Sequence, residues 1–327
     1  MKRKMRLQLF AEFPDEAVRN TQKTTAAALS PTMKTFYDTA LLQNAREKMV
    51  FSQFAKKQPI KGGKVEWRRF NKFPKATTPL TEGVIPTGQD FGMSKVEAAV
   101  NQYGSYTTVS DRLEMEAYDD VIFNATEEMG ATMGETWNIL TRNAISAGNS
   151  VWYAGGKTSR SELTPEDKMT PTLVNKAATW LKKNGVPKID GYYICLIHPD
   201  VAEDLRESEE WKDVHKYAAV KEIYEGEIGE LHGVRFIEDN ECKVVKANGD
   251  SGVSVFLSLF FGKDAYGEVE PEGEGQEVIV KTPEQIGGPL NQFSTIGFKF
   301  CHAASILYQE RLLRMETSSS YSDESVN

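Results

Sequence analysis

The chain is poor in several features that mark common protein classes. Its 327 residues include only three cysteines, and Cys195, Cys242 and Cys301 are too far apart to suggest a disulfide framework. No apolar run approaches the roughly 18 to 20 residues that a membrane-spanning helix needs. The basic start, MKRKMRLQLFAEF, has too short an apolar stretch for an export signal. The net charge of −8 argues against a dedicated nucleic-acid binder, because proteins that bind phosphate backbones usually carry a net positive charge.

Familiar catalytic and metal-binding patterns are missing as well. No CxxC, HExxH or HxH pattern is present, and neither is a GxxxxGK[ST] or GxSxG motif. The adjacent pair Cys301 and His302 would point to opposite faces of a strand, so it does not indicate a nucleophile. We therefore expect no enzyme activity and no catalytic, metal-binding or cofactor-binding residues. The alternative is a hydrolase whose site is assembled only in space. The four histidines are scattered: His198, His215, His232 and His302.

A long amphipathic helix is predicted from Ser110 to about Asn149. Apolar residues recur there at alternating spacings of three and four, and no proline interrupts the pattern. At about 1.5 Å per residue the helix would be about 55 Å long, far above the usual length, which is typical of a strut. The predicted core seam of this helix consists of Tyr118, Ile122, Met129, Met133, Trp137 and Leu140.

A long two-stranded excursion is predicted before the helix. Residues 64–70 and 94–100 alternate in the manner of strands, a third run covers 103–109, and prolines and glycines punctuate 71–92. Such a hairpin is marginal alone in water, so it needs a partner surface. Its basic and aromatic residues also resemble a platform for single-stranded nucleic acid, which is the alternative. The predicted contact residues are Lys64, Trp67, Arg68, Arg69, Lys72, Lys75 and Glu82.

The remainder of the chain predicts an α/β lobe and a returning strand region. A helix begins at Thr170-Pro171 and ends at Gly185, and another begins at His198-Pro199-Asp200. Strands are predicted over 191–197, 234–237, 253–261 and 277–281, with further strands over 295–315 and further helices over 43–57 and 214–224. The tail from Thr317 is serine-rich and is expected to be disordered.

This order of parts resembles the major capsid proteins of tailed phages with the Hong Kong 97-type fold. The similarity extends from about Asp38 to Met315, and the segments resemble those of the N-four-type coat protein branch. The segments that carry it are TPLTEGVIPTG (78–88), QYGSYTTVSDRLE (102–114), IHPDVAEDLRESEEW (197–211) and GEIGELHGVRFIEDN (226–240).

The resemblance implies an α+β fold with named parts. These are an N-terminal arm (1–57), an extended loop (58–108), a peripheral domain with a spine helix (109–184), an axial domain (185–290), the peripheral return strands (291–316) and a disordered tail (317–327).

The resemblance also implies a function. Many copies of the chain would form pentamers and hexamers in an icosahedral shell around phage double-stranded DNA, with the predicted contact residues between subunits. Scaffold, portal and decoration proteins would be further partners, contact with the DNA would be weak and non-specific, and no membrane would be involved. The protein would assemble in the bacterial cytoplasm and reside in the virion. The alternatives are an encapsulin-like nanocompartment shell and a soluble nucleic-acid-binding module.

Overall fold

A computed structural model provides the fold. It describes residues 41, 45, 49–60, 63–70, 73–116, 121–215, 227–246, 252–270, 276–286 and 290–321. The basic N-terminal tip and most of the helix predicted over 214–224 lie outside these residues, as do Lys72 and Tyr118.

The described residues form fifteen strands. They are β1 (Lys56–Pro59), β2 (Lys64–Phe70), β3 (Met93–Ala99), β4 (Asn101–Ser110), β5 (Val151–Tyr153), β6 (Tyr193–Ile197), β7 (Glu227–Leu231), β8 (Val234–Glu238), β9 (Val244–Val245), β10 (Val255–Phe261), β11 (Tyr266–Glu270), β12 (Gln276–Lys281), β13 (Phe293–His302), β14 (Ala304–Ile306) and β15 (Leu312–Thr317).

Six α-helices accompany these strands in the described part of the chain. They are α1 (Asp111–Glu116), α2 (Val121–Ile145), α3 (Pro171–Lys183), α4 (Pro199–Glu207), α5 (Glu209–His215) and α6 (Pro283–Ile286). A 3-10 turn, Phe51–Phe54, precedes β1.

Local signals explain where the helices of the α/β lobe begin. The Thr170 hydroxyl accepts a hydrogen bond from the amide of Leu173, and Pro171 occupies the first helical position of α3. At the start of α4, Nδ1 of His198 accepts from the amide of Asp200 at 3.2 Å. Both predicted starts are confirmed. Gly185 follows the end of α3 with a φ of 63°, the left-handed conformation that glycine adopts without strain.

The largest sheet places the strands in the order β5-β15-β10-β6-β8-β7, with the short β9 also paired to β10. Every residue of β6 and β10 is buried, because helices α3 and α4 cover one face of the sheet and the turn Phe51–Phe54 lies against the other. The strands predicted over 191–197, 234–237 and 253–261 are confirmed here. The sheet also takes in β5 and β15, which lie outside the predicted 185–290 segment, whereas β11 and β12 pair elsewhere.

Two three-stranded sheets lie beside the long helix α2. One has the order β12-β13-β4, and β13 pairs with β4 over ten residues, from Phe293 opposite Ser110 to His302 opposite Asn101. The other has the order β1-β11-β14. The hairpin β2–β3 forms a separate two-stranded sheet, which confirms the predicted excursion.

The long helix is confirmed over the 25 residues of α2, about 37 Å at 1.5 Å per residue. Met133 and Trp137 of the predicted seam are buried, whereas Ile122, Met129 and Leu140 are only half-buried. The buried face is rotated from the apolar seam because polar groups lie beneath the helix. It contains small and polar residues that the seam omitted: Thr126, Gly130, Gly134, Asn138 and Thr141.

Two predicted segments are corrected by the structure. The helix predicted over 43–57 is wrong at its end, where Lys56 and Lys57 belong to strand β1. The disordered tail is wrong for residues 317–321: Thr317 closes β15, and the amide of Ser318 donates to the carbonyl of Asp167 at 2.9 Å. Ser319 also donates to the carbonyl of Asp200 at 3.0 Å, so this segment is fastened to α4.

Candidate subunit-contact surfaces and a buried polar centre

The hairpin β2–β3 has one face on the body of the subunit and one in solvent. Val65 and Trp67 point inward and pack with Val269, Ala303 and Leu307. The opposite face carries charged pairs at the surface, among them Lys64 with Glu97 at 3.9 Å and Arg68 with Glu66 at 3.7 Å. The alternation of apolar and charged residues along β2 therefore sets which face of the hairpin is free.

Trp67 anchors the hairpin to its own chain. Its side chain is 2% exposed, and its Nε1 donates to the carbonyl of Lys56 at 3.3 Å. The indole lies directly over the α carbon of Gly267, where an added Cβ would stand 2.5 Å from Nε1. A residue held in this way is not available to a neighbouring subunit, so the prediction of a contact role for Trp67 is corrected.

Arg69 is likewise engaged within the subunit. Its Nε donates to the hydroxyl of Ser94 at 3.1 Å, and its Nη1 donates to the carbonyl of Leu307 at 3.3 Å. Its guanidinium also lies 5.5 Å from the ring centroid of Tyr308. The charge of Arg69 therefore helps to hold the hairpin on the body. Four other predicted contact residues are exposed, as a subunit-contact role requires: Lys64, Arg68, Lys75 and Glu82.

The tip of the hairpin, residues 73–92, exposes apolar side chains that are not among the predicted contact residues. Ile85 is 93% exposed and Leu80 is 79% exposed. At the neck of the tip, the ring of Phe91 stacks on Phe70 and Phe73 with centroid distances of 5.0 and 5.5 Å. The signal in the sequence was the placement of these apolar residues between prolines and glycines, where no private core can form.

A groove lies on the outer face of the β12-β13-β4 sheet, which is the face away from α2. It encloses about 590 Å³, and its wall is mostly apolar, with Tyr106 and Ile279 contributing. Short helix α6 contributes Ile286, and Lys281 and Lys299 add positive charge. Nearby, Leu290 and Phe293 are also exposed. The subunit therefore presents an apolar tip and an apolar groove on different parts of its surface.

A buried polar centre lies under α2, where the sheets meet. The carboxylate of Glu268, on β11, is fully buried and accepts hydrogen bonds from Trp137 and Thr141 of α2. It also accepts from the hydroxyl of Ser52 and lies 3.3 Å from Nε2 of His302. A second buried link joins Nδ2 of Asn138 to Oδ2 of Asp239 at 2.7 Å. This centre explains the polar residues on the buried face of α2.

Charge also fixes the end of α2 to the large sheet. Arg314, on β15, donates to the carbonyl of Ser146 just beyond the helix, and its Nε lies 2.9 Å from the carboxylate of Glu316. Arg160 binds the same fully buried carboxylate through two hydrogen bonds of 2.6 Å. The bidentate geometry and the second arginine neutralise a carboxylate that would otherwise be costly to bury.

The described residues contain neither a cluster of metal ligands nor a membrane-spanning helix. No group of three or more His, Cys, Asp or Glu side chains in the described part of the chain is placed to hold a metal ion. Among the helices whose bounds are given above, none has the length and apolarity of a membrane span.

Comparison with known proteins places the fold. A family model described as phage capsid protein matches residues 108–258, from the end of β4 into β10. No curated protein matches the sequence. The capsid of Ralstonia phage GP4 is similar at a TM-score of 0.64 with 14% identity, over 81% of this chain and 86% of that chain. The capsid of cyanophage P-SCSP1u is similar at 0.63 with 15% identity, over 83% and 89%.

A cellular shell protein has the same fold at a lower score. The holo-SrpI encapsulin complex from Synechococcus elongatus is similar at a TM-score of 0.52 with 13% identity, over 97% of this chain and 100% of that chain. The family match covers the long helix and much of the large sheet, and the phage capsids superpose on about four fifths of the chain. The chain therefore has the Hong Kong 97-type fold of phage capsid proteins.

Proposed function

We propose that this chain is the major capsid protein of a tailed phage, that it assembles into an icosahedral shell around double-stranded DNA, and that the hairpin tip of one copy docks into the groove of a neighbouring copy. The observation that carries the proposal is the tip itself. Leu80 and Ile85 are almost fully exposed on a projection that has no core of its own. Apolar surface of this kind is expensive to leave in water and is typical of a surface that a partner covers.

Charge complementarity supports the pairing of tip and groove. Residues 76–92 include the acidic Glu82 and Asp90 and contain no lysine or arginine. The groove carries Lys281 and Lys299, the second of which lies 2.7 Å from Glu277. A contact between different patches of identical subunits is heterologous, and such contacts close into rings and shells when the rotation between copies allows it. The apolar contact would supply most of the affinity, and the charges would orient the tip.

The predicted parts of the capsid fold remain part of this proposal. Residues 1–57 would be the arm and 58–108 the extended loop. Residues 109–184 and 291–316 would form the peripheral domain, and 185–290 the axial domain around five-fold and six-fold axes. In this arrangement β15 joins the two domains, because it pairs with β10 while β13 of the same return segment pairs with β4. The N-four-type branch, scaffold, portal and decoration partners and assembly in the host cytoplasm also remain predictions.

Charge exchange tests the docking of tip and groove. Glu82→Lys with Asp90→Lys should abolish shells, as seen by negative-stain electron microscopy and sedimentation velocity, and Lys281→Glu with Lys299→Glu should do the same. The four changes together in one chain should restore assembly, because each interface again pairs opposite charges. Tyr321→Ser, an exposed aromatic change away from tip and groove, is the matched control. Shells that form normally with only one side reversed would overturn the proposal.

The second candidate is a nanocompartment shell, which the similarity to the encapsulin over nearly the whole chain favours. The two functions differ in what the shell contains. Shells purified from infected or induced cells should hold double-stranded DNA protected from nuclease if the capsid function is right. Shells that contain protein cargo and no DNA would favour the nanocompartment. A monomer that binds single-stranded DNA with a steep salt dependence would favour the nucleic-acid-binding module instead.

A further inference from the structure

Glu268 is a buried carboxylate whose hydrogen-bond partners are all donors. Its Oε1 accepts from Nε1 of Trp137 and from the hydroxyl of Thr141, the latter at 2.6 Å, while its Oε2 accepts from the hydroxyl of Ser52. Nε2 of His302 lies 2.9 Å from the Thr141 oxygen and 3.3 Å from Oε1. One histidine tautomer, with the proton on Nε2, satisfies both contacts.

This set of partners matches the ionised carboxyl group best. An ionised carboxylate accepts and does not donate, so it matches hydroxyl and N–H donors on all sides. A protonated carboxyl group could donate only to the hydroxyl of Ser52 or Thr141, which would first have to turn its own proton away, so at least one hydrogen bond that the carboxylate now accepts would be lost. The geometry of the centre therefore depends on the charge of a single side chain.

The donors come from separate parts of the chain. Ser52 belongs to the 3-10 turn Phe51–Phe54, Trp137 and Thr141 to α2, and His302 to β13. The residue before Glu268 on β11 is Gly267, and the indole of Trp67, which anchors the hairpin, packs directly against it. Consecutive residues of a strand face opposite ways. Strand β11 thus holds the root of the hairpin on one face and the long helix on the other.

Other titratable groups around Glu268 are few among the described residues. Strand β13 contributes His302, whose Nε2 lies beside the carboxylate. From β11 itself comes Tyr266, whose hydroxyl donates to the carbonyl of Phe51 at 2.5 Å. Asp239, just after β8, is linked to α2 through Asn138, whose Nδ2 donates to its Oδ2. The side chains that α2 and the 3-10 turn place on the carboxylate are neutral.

We propose that Glu268 is an acid-sensitive latch, which in its ionised form fastens the turn Phe51–Phe54 and the C-terminal half of α2 to β11, and which releases both when it takes up a proton. The release extends to the hairpin root, because a shift of β11 at Glu268 also moves Gly267 under Trp67. The latch belongs to the fold of the subunit, so it stands independently of the docking of tip and groove.

Two opposing effects, burial and hydrogen bonding, determine the direction in which the pKa of Glu268 is shifted. Burial alone raises its pKa, but hydrogen bonds from His302, Ser52 and Thr141 outweigh burial, so the pKa of Glu268 is lowered from its ordinary value. A carboxyl group with a lowered pKa stabilises the folded state above its unfolded-state pKa, and that contribution is lost as the pH falls through the folded-state pKa. The latch is therefore closed at neutral pH and opens in acid, as the pH falls from the ordinary glutamate pKa through the lowered folded-state pKa.

Hydrogen exchange of the full chain, followed by mass spectrometry, tests the latch. After correction for intrinsic rates, protection of residues 51–54 and 133–145 should fall by up to about tenfold per pH unit between the unfolded-state and the lower folded-state pKa of Glu268 and then level off, while that of α3 persists. Glu268→Gln should show the low protection already at neutral pH. Glu270→Gln, an exposed change on the same strand, is the matched control and should behave as wild type. A Glu268→Gln variant with wild-type protection and wild-type pH response would overturn the proposal, and so would an acid loss that is uniform along the chain.

A second variant decides the matter if Glu268→Gln does not fold. Thr141→Val removes one donor while leaving the carboxylate in place, so the pKa of Glu268 should rise. The midpoint for release of residues 51–54 should then move upward by about one pH unit, the shift expected for losing a hydrogen bond to a charged group. An unchanged midpoint would show that the carboxylate does not control the release.

Discussion

The hydroxyl of Thr141 donates to the carboxylate of Glu268 at 2.6 Å, and both side chains are fully buried. This contact joins a helix to a strand 127 residues further along the chain. It also explains why the long helix buries only part of the apolar seam that its sequence predicts, namely Met133 and Trp137. The helix turns toward the carboxylate, so that Asn138 and Thr141 are buried while Met129 and Leu140 remain half-buried.

Trp137 should be the most sensitive position of the long helix. Its ring packs against Phe300 and His302 with centroid distances of 5.1 and 4.8 Å, and its N–H donates to Glu268. Trp137→Ala should lower the free energy of unfolding by about 3–5 kcal/mol, as truncation of a buried aromatic does. Urea denaturation followed by circular dichroism measures the loss. The half-buried Leu140→Ala is the control and should lose less. An unfolding curve for Trp137→Ala that matches wild type would place the core elsewhere.

Gly267 should tolerate no side chain. A Cβ there would lie 2.5 Å from Nε1 and 2.6 Å from Cε2 of Trp67, so Gly267→Ala forces the indole and the hairpin root outward. Overpacking of this kind costs about 1–3 kcal/mol. Limited proteolysis should then cut the hairpin faster than in wild type. Gly88→Ala is the matched control, because a Cβ at Gly88 meets nothing within 4 Å. Equal cleavage rates for the two variants would refute the anchoring role of Trp67.

The three cysteines should differ sharply in reactivity. Burial raises the pKa of the Cys195 and Cys242 thiols well above the usual value, so neither forms the reactive thiolate in the native protein. Cys301 is only half-buried. Titration with a thiol reagent at pH 8 should therefore modify one thiol in the native subunit and three after unfolding. Cys301→Ser should remove the native reaction. Fast native modification of two or more thiols would contradict the buried positions of Cys195 and Cys242.

Much of the fold follows from local patterns in the chain. The alternation of Val65 and Trp67 with charged residues predicts β2, and the unbroken apolar run from Val255 to Phe261 predicts a strand buried on both faces. Thr170 and Pro171 predict the start of α3. These elements could be predicted because each signal lies within a few residues of the element that it specifies.

The surfaces and the polar centre depend on contacts between distant segments, which no local pattern contains. Nothing near Glu268 in the sequence distinguishes it from the other 46 acidic residues, and only the fold brings Ser52, Thr141 and His302 to it. For the same reason the local sequence predicts a contact with a neighbouring subunit for Trp67 and Arg69. Their residue types suit a contact, but Gly267 and Tyr308, which hold them on the body of the subunit, lie about 200 residues or more away along the chain.

Substitutions at the adjacent residues Arg68 and Arg69 should have different effects, the first on assembly and the second on the stability of the subunit. Arg68 lies on the exposed face of the hairpin, and its side chain is 67% exposed. Arg68→Glu should leave the melting temperature almost unchanged, since exposed surface changes usually alter stability by less than about 0.5 kcal/mol. Where this face meets a neighbouring subunit, the same change should block assembly, because a reversed charge at a contact is repulsive.

Arg69→Glu should behave differently, because it removes the hydrogen bonds to Ser94 and to the carbonyl of Leu307 and the contact with Tyr308 within the subunit. We expect a lower melting temperature and faster proteolysis of the hairpin, even in the unassembled subunit. Arg69→Lys keeps the charge but not the paired donors, and should show an intermediate loss of stability. Scanning calorimetry of the three variants, together with electron microscopy of the same samples, distinguishes the two roles. Normal shells from Arg68→Glu would show that this face of the hairpin is not a subunit contact. A wild-type melting temperature for Arg69→Glu would show that the hairpin is held by Trp67 alone.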